Sequence, residues 1–487
     1  MLFNSLTFLI FFPIVTVLYF VIPRKFRYLW LLAASYYFYM SWNPKYALLI
    51  LTSTFTTYLC SLMVSKASTV SKKKLYVALS LLINLTILFT FKYLNFFTDT
   101  LNQLFNMSAP TFSLILPVGI SFYTFQALGY TIDVYRGEVT AERNFFKYAL
   151  FVSFFPQLVA GPIERSKNLL NQVRMMESVQ FNYERMRSGL LLMIWGLFLK
   201  VVLAERAAII VNQVYNNYEN YTGFYVIIAT FLFAIQIYVD FSAYSLIAIG
   251  AAEVLGFNLM QNFNTPYFSR TVGEFWRRWH ISLSTWFRDY LYIPLGGNRC
   301  SRWRKHLNIL IVFVVSGLWH GANWTFVIWG GLNGIYQIIG AELKPIKTRI
   351  VDTFKINTES FSHKFFQIVV VFSLINLSWI FFRAPSTSVA INMITHIFAE
   401  FNIWIFVDGS IYKLGLTALE LKILVLSLTA LLIASLCQYN GISIRAKLAE
   451  QAIWFRWAAY ITAIMILLIF GYYGPTYSPS DFIYFQF

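Results

Sequence analysis

Charge is scarce in this chain: only 12% of its 487 residues are Asp, Glu, Lys or Arg, about half the share in a soluble globular domain. So few charges cannot cover the surface of a water-soluble protein of this length. A soluble enzyme, a disordered chain and a fibrous protein are all excluded. Acidic residues are rarer still, 21 against 38 Lys and Arg, for a formal net charge of +17. Cys60, Cys300 and Cys437 are the three cysteines, too scattered for a disulfide framework or a metal-ligand spacing. There is no Walker loop, dinucleotide glycine fingerprint, G-x-S-x-G or H-E-x-x-H. Gly296-Gly297 reads as a turn. Neither ATP hydrolysis nor zinc chemistry is supported, and no metal is expected.

Apolar residues fill the space: 58% of the chain is hydrophobic and 19% aromatic, with mean hydropathy +0.60. Apolar runs recur from end to end, and in lipid an open chain can satisfy its backbone only as helix. The expected fold class is therefore all-α, a polytopic membrane protein with roughly ten to twelve transmembrane or re-entrant helices. The start of the chain has no basic n-region or cleavage site and reads as a retained first span. An excess of Lys and Arg would point to nucleic acid in a soluble protein. Here it reads as positive-inside loops, with the lipid bilayer as partner and no nucleic acid.

The loops support this. Basic clusters at 24–27, 66–74 and 136–147 fall on one side if the apolar runs 6–22, 28–42, 46–64, 75–91 and 114–132 alternate across the membrane. The run 148–162 is short and broken by Pro156, Gly161 and Pro162, and reads as re-entrant. Lys200 and Asp240 lie inside the apolar runs 189–211 and 223–249. An intramembrane ion is either a functional group or one half of an interhelical pair. The stretch 307–339 is too long for one span and is followed by Lys344, Lys347 and Arg349. It reads as a hairpin beginning and ending inside, with His320 near its tip. The runs 365–382, 411–437 and 457–473 read as the last spans.

Five histidines are available. His363, His396 and His306 sit at span edges, in loops or in a basic cluster. His320 lies in an apolar stretch, Gly317-Leu-Trp-His-Gly-Ala-Asn-Trp324, between glycines that loosen or end a helix. A neutral imidazole is cheaper to bury there than a carboxylate or ammonium, and it can take a proton from a hydroxyl. The bland alternative is a hydrogen-bonded packing residue. His280 sits in Phe275-Trp-Arg-Arg-Trp-His-Ile-Ser-Leu-Ser-Thr-Trp-Phe-Arg-Asp289, expected as one aromatic, basic helix at the inner face. Its arginines suit a polyphosphate such as that of coenzyme A, or equally a snorkelling anchor for lipid headgroups.

These residues carry a resemblance. The run Phe275-Trp-Arg-Arg-Trp-His-Ile-Ser-Leu-Ser-Thr-Trp-Phe-Arg-Asp-Tyr-Leu-Tyr-Ile-Pro-Leu-Gly-Gly-Asn298, followed by the His320 motif, closely resembles the membrane-bound O-acyltransferases. Within them it is similar to the bacterial alginate and peptidoglycan O-acetyltransferases. Tyr36-Tyr-Phe-Tyr-Met-Ser-Trp42, Phe155-Pro-Gln-Leu-Val-Ala-Gly-Pro162 and the ending Phe482-Ile-Tyr-Phe-Gln-Phe487 fit as well. The resemblance implies one membrane domain over 1–487, with funnels from both faces forming a central tunnel at a catalytic histidine, His320. His280 matches the family's second histidine. The related D-alanyl transfer protein of teichoic acid synthesis relies on a separate small partner for a C-terminal tyrosine motif. Here that motif is in the chain itself, with Tyr484 as a third catalytic candidate.

The implied function is transfer of an acetyl group from cytoplasmic acetyl-CoA across a bacterial cytoplasmic membrane to an extracytoplasmic polysaccharide. No cofactor would be permanently bound. Arg277, Arg278 and Trp279 would hold the donor, and an SGNH-hydrolase-like partner outside would place the acetyl on the sugar. Two alternatives stand: D-alanyl transfer from a carrier-protein thioester to teichoic acid, and a transporter whose path is lined by Lys200, Asp240 and His320.

Overall fold

A computed structural model describes residues 1–159 and 161–473. Among the described residues every regular element is helical and no strand occurs. Among the described residues six helical stretches are long and apolar enough to cross a membrane: Pro44–Lys66, Val70–Phe105, Phe224–Leu255, Phe361–Arg383, Ala418–Tyr439 and Ile453–Phe470. Leu6–Val21 is a shorter apolar helix. The chain is an all-α, polytopic membrane protein. It divides into two compact units, Met1–Gly196 with Tyr244–Gln261, and Leu197–Ala243 with the residues from Asn262 on.

The first unit begins with α1 (Leu6–Val21), α2 (Arg27–Met40), α3 (Ala47–Lys66) and α4 (Val70–Leu88), which runs through a π-helical turn into α5 (Leu94–Phe105). It continues with α6 (Ile120–Tyr135), α7 (Phe145–Ser153), α8 (Phe155–Leu158), α9 (Asn171–Met175) and α10 (Tyr183–Leu197). Polar side chains join these helices where lipid supplies no hydrophobic drive. Ser53 donates to Asn84 at 2.5 Å, and the Tyr148 hydroxyl donates to Thr57 at 2.7 Å. The segment expected as a span at 114–132 becomes helical only at Ile120, after Pro117 and a left-handed Gly119 at φ 73°. Proline has no N–H to give a preceding turn, so the helix begins later than hydropathy suggests. The short α8 around Pro156, separated from α7 by a break at Phe154, is buried in protein, as a broken helix must be at membrane depth.

The second unit contains α11 (Glu205–Asn216), most of α12 (Phe224–Leu255), and the short α13 (Val272–Arg278) and α14 (Ile281–Phe287). Then come α15 (Arg302–His320), α16 (Trp324–Glu342), α17 (Lys344–Thr353), α18 (Phe361–Arg383), α19 (Thr387–Ile397), α20 (Ala418–Tyr439), α21 (Ile444–Ala449) and α22 (Ile453–Phe470). Ahead of α11, residues Phe198–Ala204 form a seven-residue π-helical stretch. That stretch, where i→i+5 bonding replaces i→i+4, brings Lys200 and Glu205 together at 2.9 Å.

The hairpin read at 307–339 is present as α15 and α16. Gly317 does not loosen α15; it lets the two helices touch. A Cβ added at Gly317 would lie 2.2 Å from the Phe326 carbonyl oxygen, and one at Gly330 would lie 2.2 Å from that of Phe313. Close backbone approach through small residues is how membrane helices gain van der Waals contact.

Candidate active site

His320 is the last residue of α15. Gly321 turns the chain into extended backbone, and Asn323 caps α16 by accepting from the Thr325 N–H at 3.0 Å. Asn323 also donates to the Pro385 carbonyl at 3.3 Å, which ties the hairpin tip to the end of α18. His320 is only 4% exposed. Rings meet it edge to face: Trp319 at 5.0 Å, Trp329 at 5.1 Å and Phe382 at 5.3 Å between centroids. These rings leave His320 little exposed surface.

His280 lies 6.4 Å from His320, centroid to centroid. The structure corrects the expectation of a single basic helix here. Helix α13 ends at Arg278, and His280 is the left-handed residue between α13 and α14, at φ 43° and ψ 53°. The break is imposed from outside the segment. The Asn264 N–H donates to the Arg278 carbonyl at 2.9 Å, and the Ile281 N–H to the Asn262 carbonyl at 2.9 Å. Ser282 adds a 2.6 Å bond to the Asn262 side chain. Strained conformations of non-glycine residues gather at functional sites, where the surroundings hold them. His280 packs edge-on against Phe241 at 4.7 Å, and burial pushes its imidazole down to about 3. It is neutral throughout the physiological range.

The three residues read as donor contacts separate. Arg277 is exposed. Arg278 pairs with Glu274 at 2.9 Å, donates to Thr265 at 3.0 Å and covers the Tyr439 ring at 5.4 Å. Trp279 is 1% exposed, stacked on Phe275 and 5.1 Å from Trp379. Trp379 in turn stacks on Trp329, the wall of His320. Of these tryptophans the sequence singles out Trp279, as a donor contact, and not Trp329 or Trp379. The signal was present, since Trp279 and Trp329 each lie close to a singled-out histidine, but only tertiary packing joins them. If Arg277 contacts the phosphates of a thioester donor, Arg277→Gln should raise that donor's KM with kcat unchanged. Arg278→Gln should instead lower thermal stability, since hydrogen bonds to a charged group contribute about 1.5–3 kcal/mol. Donor saturation curves alongside melting temperatures separate the two.

Tyr484 lies outside the described residues. Lys200 and Asp240 pair directly, at 2.7 Å. Among the described residues no group of three or more His, Cys, Asp or Glu side chains gathers as a metal site.

Comparison with known proteins identifies the family. The model of the membrane-bound O-acyltransferase family matches residues 36–383, a range that includes both histidines. The chain is 35% identical over 467 residues to the probable alginate O-acetylase AlgI of Azotobacter vinelandii, covering 93% of this chain and 89% of that one. It is 34% identical over 390 residues to the peptidoglycan O-acetyltransferase of Helicobacter pylori, covering 75% and 72%. The teichoic acid D-alanyltransferase of Streptococcus thermophilus is 27% identical over 288 residues, covering 56% and 69%. Two buried histidines 6.4 Å apart, inside a family match spanning most of the chain, lead to one assignment: the protein belongs to the membrane-bound O-acyltransferase family and is an acyltransferase.

Proposed function

We propose that this acyltransferase moves an acetyl group from acetyl-CoA, bound from the cytoplasmic side of a bacterial inner membrane, toward a hydroxyl of an extracytoplasmic polysaccharide. The observation that carries this reading is similarity to alginate O-acetylases over 93% of the chain, with His320 buried at the hairpin tip. In the step proposed, a neutral His320 nitrogen accepts the proton of the attacking hydroxyl. The hydroxyl oxygen bonds to the thioester carbon, the C–S bond breaks, and the imidazolium returns its proton to the departing thiolate. Ester and free thiol result, with no net proton released. His280, neutral and fixed between α13 and α14 by the bonds to Asn262 and Asn264, would position its neighbours beside His320 rather than titrate.

The proposed first acceptor is the Tyr484 hydroxyl, from which an SGNH-hydrolase-like partner would collect the acetyl group for the sugar. An unperturbed tyrosine hydroxyl titrates near ~10 and needs a base to attack at neutral pH. Tyr484→Phe keeps the ring and should abolish polymer acetylation while leaving expression unchanged. After incubation with acetyl-CoA, mass spectrometry should find the C-terminal peptide acetylated on Tyr484 in the native chain. Full acetylation of polymer by the Phe variant would rule the relay out.

The donor is tested with purified protein in proteoliposomes, supplied with radiolabelled acetyl-CoA or with a D-alanyl carrier thioester. Thiol release and label transfer with acetyl-CoA alone support the reading. Transfer only from the carrier would make the chain a D-alanyl transferase.

A further inference from the structure

Helix α17 stands apart from the rest of the second unit. Every residue from Lys344 to Ile350 is exposed, and in the whole helix only Val351 is half-buried. A ten-residue helix is marginal in water without tertiary packing, so something other than this chain's core must cover it. Its sequence says what kind of surface. Leu343, Ile346, Ile350 and Phe354 follow one another at helical spacing on one side, exposed by 39%, 55%, 47% and 73%. At 100° per residue they occupy a single narrow arc. Lys347 and Arg349 flank that arc on its two sides, and Lys344 lies beyond Lys347. Asp352 is the one acid in the helix against these three cations. None of the three makes an ion pair or a side-chain hydrogen bond with another described residue.

The neighbouring end of the hairpin has the same character. Glu342, the last residue of α16, pairs with Arg302 and, at 3.0 Å, with His306 at the start of α15. The two ends of the hairpin are thus tied together at the level where α17 begins. Trp303, on that first turn of α15, is 85% exposed. Exposed tryptophans beside basic residues belong at the headgroup level of a bilayer. This end is far from the chemistry: the 19 residues of α15 put it about 27 Å along the helix axis from His320.

We infer that α17 lies in the membrane interface, with its Leu343–Phe354 stripe in the acyl boundary and Lys344, Lys347 and Arg349 on the phosphates of anionic phospholipids. A soluble polyphosphate would satisfy the cations but leave the apolar stripe in water. A zwitterionic bilayer would take the stripe but offer the cations less. Only an anionic lipid surface matches both faces. The excess of Lys and Arg at this end of the hairpin assigns it to the cytoplasmic leaflet. The inference does not depend on the acyl donor or acceptor.

Hydrogen exchange read by mass spectrometry on the full chain tests it. The protein is placed in nanodiscs of phosphatidylcholine alone and of phosphatidylcholine with phosphatidylglycerol. Amides of residues 346–353 should exchange at least about tenfold more slowly in the anionic discs. Lys344→Gln, Lys347→Gln and Arg349→Gln combined should erase that difference without changing protection in α15 and α16. Soluble glycerol phosphate added to the phosphatidylcholine discs should not reproduce the protection. Equal exchange in the two bilayers overturns the inference. So does protection in lipid-free detergent that grows with protein concentration, which would assign the face to a second copy, and so does protection by glycerol phosphate alone.

Discussion

His320→Ala should lower acyl transfer by about 10²–10⁴-fold, the usual contribution of a positioned general base. Expression and membrane insertion should be normal, because the variant removes a buried polar ring and adds no charge. The cavity left between Trp329 and Phe382 has a cost of its own, so His320→Gln is the companion variant. It refills most of the volume and offers an amide that does not act as a base at neutral pH. Both variants should lose turnover to a similar degree, with donor KM little changed, since a base contributes in the transition state and not in the ground state. Near-normal turnover in either would remove His320 from the mechanism.

A pH profile adds a second reading. His280, held down to about 3 by burial, does not titrate between pH 5 and 8. An acid limb in that range therefore belongs to another group. The sign for stability runs the opposite way from a salt-bridged histidine. The unfolded imidazole binds a proton near pH ~6.5 and the folded one does not, so His280 makes the protein less stable as pH falls below that value. His280→Gln should flatten this acid-side loss of melting temperature, and it should change turnover less than either His320 variant does.

Much of this fold was legible from the chain. Helices were forced by lipid, and the hairpin of α15 and α16 could be placed because basic residues mark both its ends and Gly321 interrupts its middle. The break at His280 could not be read. Trp279-His280-Ile281 contains no glycine or proline, and the left-handed turn exists because Asn262 and Asn264, which precede His280 by 18 and 16 residues, take the backbone bonds a continuous helix would have used. The aromatic wall was hidden for a similar reason. Phe241, Trp276, Trp329, Trp379 and Phe382 come from four helices, and no spacing along the sequence brings them together. The π-helical stretch before α11 was equally silent. Lys200 and Glu205 are five apart, a spacing that puts them on different faces of an ordinary α-helix. Asp240 could be singled out as an intramembrane ion, but Glu205 could not be joined to it.

That buried ion cluster gives the other large effect expected. Lys200 lies 2.9 Å from Glu205 and 2.7 Å from Asp240, and all three side chains are 3% exposed or less. Arg206, also buried, donates to the Val202 carbonyl at 2.8 Å and covers the Tyr472 ring at 4.5 Å. Two cations and two carboxylates balance, and removing one member leaves a buried charge unmatched. Lys200→Met should therefore cost about 3–5 kcal/mol, as should Asp240→Leu, because breaking a buried pair strands its partner. The double variant removes opposite charges together, and its loss should be clearly smaller than the sum of the two singles. Melting temperatures of all four proteins close the cycle. Additive losses would mean that the two side chains do not share one interaction. Activity then decides what the cluster is for. Asp240 precedes Phe241, which packs against His280 at 4.7 Å, so misplacing α12 disturbs the site through that ring. If the ions only hold α12 in register, the double variant should regain acyl transfer in proportion to the stability it regains. If Lys200 and Asp240 line a path for a substrate, as in a transporter, the double variant should fold and stay inactive.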